Sequence, residues 1–226
     1  AGFPPFTVMP HRQRRIGLTG GIATGKSTVA RLLDASFGFP VLDADRYAKE
    51  ALGPGTAATQ AVIRRYGETV LAPSAAPSAS GATASNGSVI DRQTLGQLVF
   101  ADPVERRWLE HLVHPLVRQK FEQELTALAE APAVVLMIPL LFEAGLEPLC
   151  SEIWLVDCDP AEQEARLLAR DGRSVAEARA RIKAQWPLER KRALADVVID
   201  NRNGAEGLPA QVARAVSRLQ TSYVRP

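Results

Sequence analysis

Eight consecutive residues constrain this chain more than any other stretch. Gly20-Gly21-Ile22-Ala23-Thr24-Gly25-Lys26-Ser27 fits G-x-x-x-x-G-K-[ST], whose glycines let successive backbone N–H groups turn inward around phosphate oxygens. Such a loop works between a strand and a helix, because the helix aims its positive end at the same anion. Both flanks are present. Residues 14–19 are short and apolar in the middle, as a buried strand requires. Val29, Leu32, Leu33 and Phe37 recur at helical spacing, and Gly38 ends the run. The loop therefore predicts an α/β fold with a nucleotide ligand. The turn from Gly21 through Ala23, Thr24, Gly25, Lys26, Ser27 and Thr28 is expected to cradle the phosphates of a nucleotide. Lys26 reaches the β- and γ-phosphates, and the Ser27 hydroxyl holds Mg²⁺.

The rest of the chain alternates in the way that fold demands. Short strands are expected at 39–42, 133–138, 153–157 and 196–200, with helices at 160–171, 174–185 and 207–219. That alternation predicts a doubly wound parallel sheet with helices on both faces. The stretch 46–131 reads as a helical lobe set into this core. In it Asp91 and Asp102 cap helices, Pro103 takes a first helical position and His114-Pro115 predicts a kink. Residues 72–88 are almost all Ala, Ser, Pro, Gly, Thr or Asn, from which no core can be packed, so a flexible surface loop is expected there. Residues 1–13 read as a disordered tail, leaving the fold to run from 14 to 220, with core segments at 14–45 and 132–220.

Composition narrows the function classes. A total of 27 Lys and Arg against 25 Asp and Glu gives a formal charge of +2, which excludes a polyanion binder working by bulk charge; no nucleic acid partner is expected. Cys150 and Cys158 are too few for a disulfide framework, and His11, His111 and His114 are scattered, so no structural metal site is expected. The longest apolar run, 133–142, is too short to cross a bilayer and contains Pro139. The amino-terminal stretch has the wrong order of charge and apolarity for a secretory signal. A cytoplasmic protein with no membrane partner is the expectation. The charges are nevertheless unevenly placed: 22 of the basic residues are Arg, and residues 161–192 hold nine basic against five acidic ones. A basic helical hairpin at about 166–192, with Arg166, Arg170 and Arg173, suits a lid that closes on a triphosphate.

Several kinds of phosphate-loop protein are disfavoured. The chain lacks an Asn-Lys-x-Asp segment for guanine and a Leu-Ser-Gly-Gly-Gln segment of transporter ATPases. The strand 133–138 runs into Pro139 rather than a metal-binding carboxylate, and Asp157 is a possible substitute. Asp43 and Asp45, at the end of the second strand, border the ligand crevice of an open α/β sheet. A carboxylate there can take the proton of an attacking hydroxyl or orient Mg²⁺ through water; equally, Asp45 can simply cap a helix starting at Arg46.

The ordered pieces resemble the dephospho-coenzyme A kinase family. They are the segment 16–28, Asp43-Ala44-Asp45, Trp108-Leu109-Glu110-His111-Leu112-Val113-His114-Pro115, Ile138-Pro139-Leu140-Leu141-Phe142-Glu143 and the segment 195–201. Arg166-Leu167-Leu168-Ala169-Arg170 and the segment 180–185 are similar to that family's lid. Two departures stand out: Ala23-Thr24 in place of the commoner Gly-Ser, which the backbone cradle is expected to tolerate, and the low-complexity insertion at 72–88, which falls at a loop before the Asp91 cap. The resemblance implies a P-loop fold with a five-stranded parallel core, a helical coenzyme A domain and a helical lid. It implies ATP-dependent phosphorylation of the ribose 3′-hydroxyl of dephospho-coenzyme A. By position, Lys26 and the loop amides hold ATP, Asp45 is the base, Asp43 assists it and Arg170 meets the transferring phosphate. His114 and Arg118 hold the substrate, and Asn201 lies against adenine. The oligomeric expectation is a monomer or weak homo-oligomer. Two alternatives stay open: another P-loop kinase of a small metabolite or nucleotide, and a non-catalytic ATP-binding module.

Overall fold

The computed structural model describes residues 13–72, 89–171, 174–202 and 204–218. The expected tail up to residue 12, nearly all of the low-complexity loop and Arg173 lie outside the described residues. Gln13 belongs to the fold rather than to a tail, since its amide donates to the carbonyls of Leu128 and Ala131. The described chain divides into two compact units, Ala1–Leu42 with Leu125–Pro226, and Asp43–Glu124.

The first unit is built on a five-stranded parallel sheet. Its strands are β1 (Arg14–Gly20), β2 (Val41–Asp43), β3 (Ala133–Met137), β4 (Glu152–Asp157) and β5 (Val197–Asp200), in the order β2-β3-β1-β4-β5. β1 is central: Ile16 pairs with Val135 on one side and Glu152 on the other. Strands buried on both faces carry continuous apolar runs, which is why β1, β3 and β4 were legible. Helix α1 (Lys26–Phe37) returns from β1 and stops at Gly38, whose φ of 67° is left-handed and whose amide donates to Asp34 O. Helix α9 (Leu208–Arg218) packs with α1 against the sheet: Val29 and Leu33 share one buried cluster with Ile16, Leu18, Trp154, Val156, Leu208 and Val212. Between β4 and β5 run α6 (Pro160–Asp171), α7 (Val175–Lys183) and α8 (Leu188–Leu194).

The second unit is helical, with α2 (Ala44–Ala51), α3 (Ala57–Tyr66), α4 (Arg92–Ala101) and most of α5 (Pro103–Ala127). Val62, Val70, Ile90, Leu95 and Val99 form its core, with Tyr66, Trp108 and Leu112 packed against them. The expected caps are present: Asp91 accepts from Gln93 N and Thr94 N, and Asp102 from Val104 N. At His114-Pro115, where the sequence predicts a kink, α5 runs on through Pro115. Proline leaves the carbonyl four residues earlier without its donor. Here that residue, His111, and Pro115 itself are both exposed, so water can serve the carbonyl.

Candidate active site

β1 delivers the chain to the loop at Gly20, whose φ is 149°. A Cβ there would sit 2.6 Å from the Val156 carbonyl oxygen and 2.8 Å from Thr24 Oγ1, so the neighbouring strand leaves no space for a side chain. Gly25, with φ 100°, forms the N-cap of α1. Ala23 has φ 60°, a left-handed conformation that costs an L-residue roughly 1–2 kcal/mol. The substitution of alanine at this position is therefore accommodated at a cost, which sequence alone did not expose.

Within the turn, Thr24 Oγ1 donates to Gly21 O at 2.9 Å, and the amides of Thr28 and Val29 fold back on Gly25 O. The Lys26 side chain is only 8% exposed. Its Nζ donates to Gly21 O at 2.6 Å and to Gly20 O at 3.2 Å. A buried ammonium is a strong site for an anion: a phosphate offers charge-assisted bonds about twice as strong as neutral ones. Ser27, beside it, is exposed and leaves its hydroxyl free to reach a cation. Mg²⁺ keeps several waters and binds through few protein oxygens plus substrate phosphates. This fits a site where a serine hydroxyl is the protein donor and, among the described residues, no cluster of three metal-binding side chains occurs.

Struts from the chain beyond β4 hold the loop from outside. Asn201, following β5, is 4% exposed, and its Nδ2 donates to Thr24 O at 2.8 Å. A Cβ on Gly25 would lie 2.3 Å from that nitrogen. The Asn201 amide nitrogen is thus turned into the loop, while its Oδ1 is buried without a hydrogen-bond partner among the described residues. Arg166 is tied to Glu162 at 2.8 Å and to Asn201 O at 3.2 Å, while Arg170 is exposed in the last turn of α6. Asp157, the possible metal carboxylate, is buried and takes a 2.6 Å bond from Arg192. It is bound into an ion pair that joins α8 to β4.

The remaining candidates belong to the second unit. Asp43, not Asp45, is the N-cap of α2: its Oδ1 accepts from Asp45 N at 2.8 Å. Asp45 stands exposed in the first helical turn. His114 is half-buried on α5, and burial holds its pKa below the ordinary value despite Glu110 nearby. Arg118, one turn further on, is exposed and pairs with Glu122 at 3.1 Å.

The Dephospho-CoA kinase family model matches residues 14–206, a span that begins with β1 and takes in the loop, both aspartates and every strut just described. The chain belongs to the dephospho-CoA kinase family. A relative from Synechococcus sp. (strain CC9605), named dephospho-CoA kinase, is 61% identical over 85% of this chain and 87% of its own length. Among solved structures, TT1252 from Thermus thermophilus superposes with a TM-score of 0.72 at 37% identity, covering 95% of this chain and all of that one. The dephospho-CoA kinase from Campylobacter jejuni gives a TM-score of 0.65 at 25% identity, over 93% and 98% of the two chains. This member of the dephospho-CoA kinase family is thus an ATP-using P-loop kinase of coenzyme A biosynthesis.

The structure also brings in residues of this dephospho-CoA kinase that sequence reasoning did not single out. Lys191 on α8 is fully buried, with Nζ 2.8 Å from Glu143 Oε1 and 3.0 Å from Pro139 O. The same carboxylate oxygen accepts from Trp186 N at 2.8 Å. The Trp186 ring stacks on Phe142, and Arg190 lies over its face 3.3 Å from the centroid. Gln163 and Gln185 bind Ile22 from two sides. Apart from Arg190 and Trp186, these partners are far apart in sequence, and no periodicity signals a glutamine that reaches across 141 or 163 residues.

Proposed function

We propose that this enzyme transfers the γ-phosphoryl group of ATP to the ribose 3′-hydroxyl of dephospho-coenzyme A by way of the residues that follow. The loop amides and Lys26 bind the β- and γ-phosphates. Ser27 would hold Mg²⁺, which would supply positive charge against the phosphates. Asp45 accepts the proton of the 3′-hydroxyl as its oxygen bonds to phosphorus and the bond from phosphorus to the β,γ-bridging oxygen breaks, leaving ADP. Asp43 assists by fixing the helix start that carries Asp45, and Arg170 supplies positive charge to the transferring phosphoryl group. His114, kept neutral by its burial, and Arg118 hold the acceptor. The substrates are small and water-borne and both cysteines are free, which suits a cytoplasmic enzyme.

The observation that carries this reading is the loop itself, with the buried Lys26 ammonium resting on Gly20 and Gly21 carbonyls. The test is to incubate the folded protein with Mg·ATP and dephospho-coenzyme A and to quantify products. Coenzyme A and ADP are expected in equal amounts. ADP release that is independent of the acceptor, or that follows another hydroxyl compound in an acceptor panel, overturns the assignment.

A further inference from the structure

Ile22 lies in the middle of the phosphate loop, and the two peptide groups that flank it are each held by a side chain from elsewhere in the fold. Its N–H donates to Gln185 Oε1 at 2.8 Å, and its carbonyl accepts from Gln163 Nε2 at 2.8 Å. A backbone N–H can only donate and a carbonyl can only accept, so the two amide side chains have fixed and opposite roles. Gln163 is 3% exposed. It is pressed so close to the loop that a Cβ on Gly21 would lie 2.4 Å from its Nε2. Among the described residues, Ile22, Thr24 and Thr28 have their amides bound by Gln185, Gly21 and Gly25. The amides of Ala23, Gly25 and Ser27 take no backbone partner among the described residues. The carbonyl that Gln163 holds shares its peptide plane with the Ala23 N–H, so this grip sets the direction in which that N–H points.

Both glutamines come from the segment between β4 and β5. Gln163 lies on α6, and Gln185 follows the end of α7. The residue after Gln185 is anchored as well: Trp186 N donates to Glu143, which Lys191 pairs from within the core. The carboxyl-terminal foot of the α6–α7 hairpin is therefore fastened at two successive residues, one to the loop and one to the end of β3.

We propose that Gln163 and Gln185 are positioning residues that hold the two peptide groups flanking Ile22 so that the loop is shaped for ATP before ATP arrives. The clamp rests on the reading of this loop as the ATP site. It predicts that each amide acts through one hydrogen bond of defined direction, and that its loss is felt by ATP and not by the acceptor.

The test compares Gln163→Ala, Gln163→Glu, Gln185→Ala and Gln185→Glu with the parent enzyme, measuring KM for ATP and for dephospho-coenzyme A from about pH 5.5 to about pH 8.5. Removing a buried hydrogen-bond partner should raise KM for ATP about tenfold in both Ala variants at every pH, with KM for the acceptor within about twofold. A protonated carboxyl offers both a donor and an acceptor, so both Glu variants should approach the parent at the acid end. When ionised, the carboxylate at position 185 still accepts from Ile22 N–H, whereas the one at position 163 meets a carbonyl with no proton to give. KM for ATP should therefore climb with pH at position 163 well beyond its climb at position 185, although both variants add the same charge. Equal pH responses of the two Glu variants, ATP constants within about twofold of the parent in the Ala variants, or parallel rises for both substrates overturn the clamp. Equilibrium binding of Mg·ATP to the parent is measured alongside. Its absence sinks the ATP-site reading, whereas binding by the parent with unaffected variants sinks the clamp alone.

Discussion

Asp45 and Asp43 are two residues apart and do different work. Asp43 spends a carboxylate oxygen on the Asp45 amide, a cap typically worth about 1 kcal/mol. Asp45, in the first turn, sits where a helix N-terminus favours the ionised carboxylate. If Asp45 is the base, Asp45→Asn should lower kcat by about two to four orders of magnitude while leaving ATP affinity within a few-fold. Steady-state rates combined with ATP titration of the variant check this. A kcat within about threefold of the parent removes Asp45 from the chemistry. Lys26 illustrates the same scale from the other side: its buried ammonium donates to the carbonyls of Gly20 and Gly21 and stands in the loop where a phosphate's charge would be met.

At the scale of elements, helix α5 is joined to α3 by one acidic side chain. Glu105 accepts from Arg65 at 2.6 and 2.7 Å and from Tyr66 OH at 2.5 Å, and Arg65 lies over Trp108, 4.6 Å from its ring. Arg65 first, then Tyr66, lowers the Glu105 carboxyl from 4.5 to about 2. A carboxyl depressed in the folded state stabilises it fully above the unfolded value. That contribution fades as pH falls from about 4.5 through about 2. Glu105→Gln should therefore lower stability at neutral pH and flatten its loss within that acidic window, as read from thermal midpoints against pH. A variant whose midpoints track those of the parent from pH 7 down to about 2 denies the linkage. Element legibility followed the same physics. α1 and α9 carry clean apolar stripes, whereas α8 went unseen because its buried face is made of Leu188 and Lys191, and a lysine on the inner face erases the hydrophobic period. The start of α2 was placed at Arg46 for a related reason. Two aspartates in a row of three compete as caps, and only the extended backbone of Asp43 decides between them.

Across the whole molecule, the β4–β5 segment is bound to the rest of the first unit by buried polar links rather than by apolar area alone. The Lys191–Glu143 pair is the deepest of them. Breaking a buried pair by removing one partner typically costs about 3–5 kcal/mol, because the other charge is stranded. Lys191→Met should lose that much in denaturant unfolding, and adding Glu143→Gln should recover a large part of it, since the amide can still accept from Trp186 N. A loss below about 1 kcal/mol for the single variant, or no recovery in the double, contradicts this account. The described residues include no helix long and apolar enough to cross a membrane, and α5, the longest helix among them, is laced with Glu–Arg and Glu–Lys pairs such as Arg106–Glu110 and Lys120–Glu124.

The sequence by itself determined what is local. Eight residues specified the phosphate loop, apolar runs specified the parallel strands, and motif order pointed to the family that the comparisons then showed. These signals survive in one dimension because a turn, a cap or a buried strand is built from neighbours. Only the tertiary structure decided what holds the loop in place. Asn201, Gln163 and Gln185 reach it from beyond β4, Ala23 bears a left-handed backbone, and Asp157 is committed to Arg192. Hydrogen bonds and ion pairs formed across more than a hundred residues leave no period or spacing to read. They exist because folding places those side chains within 3 Å of partners that the chain order keeps far apart.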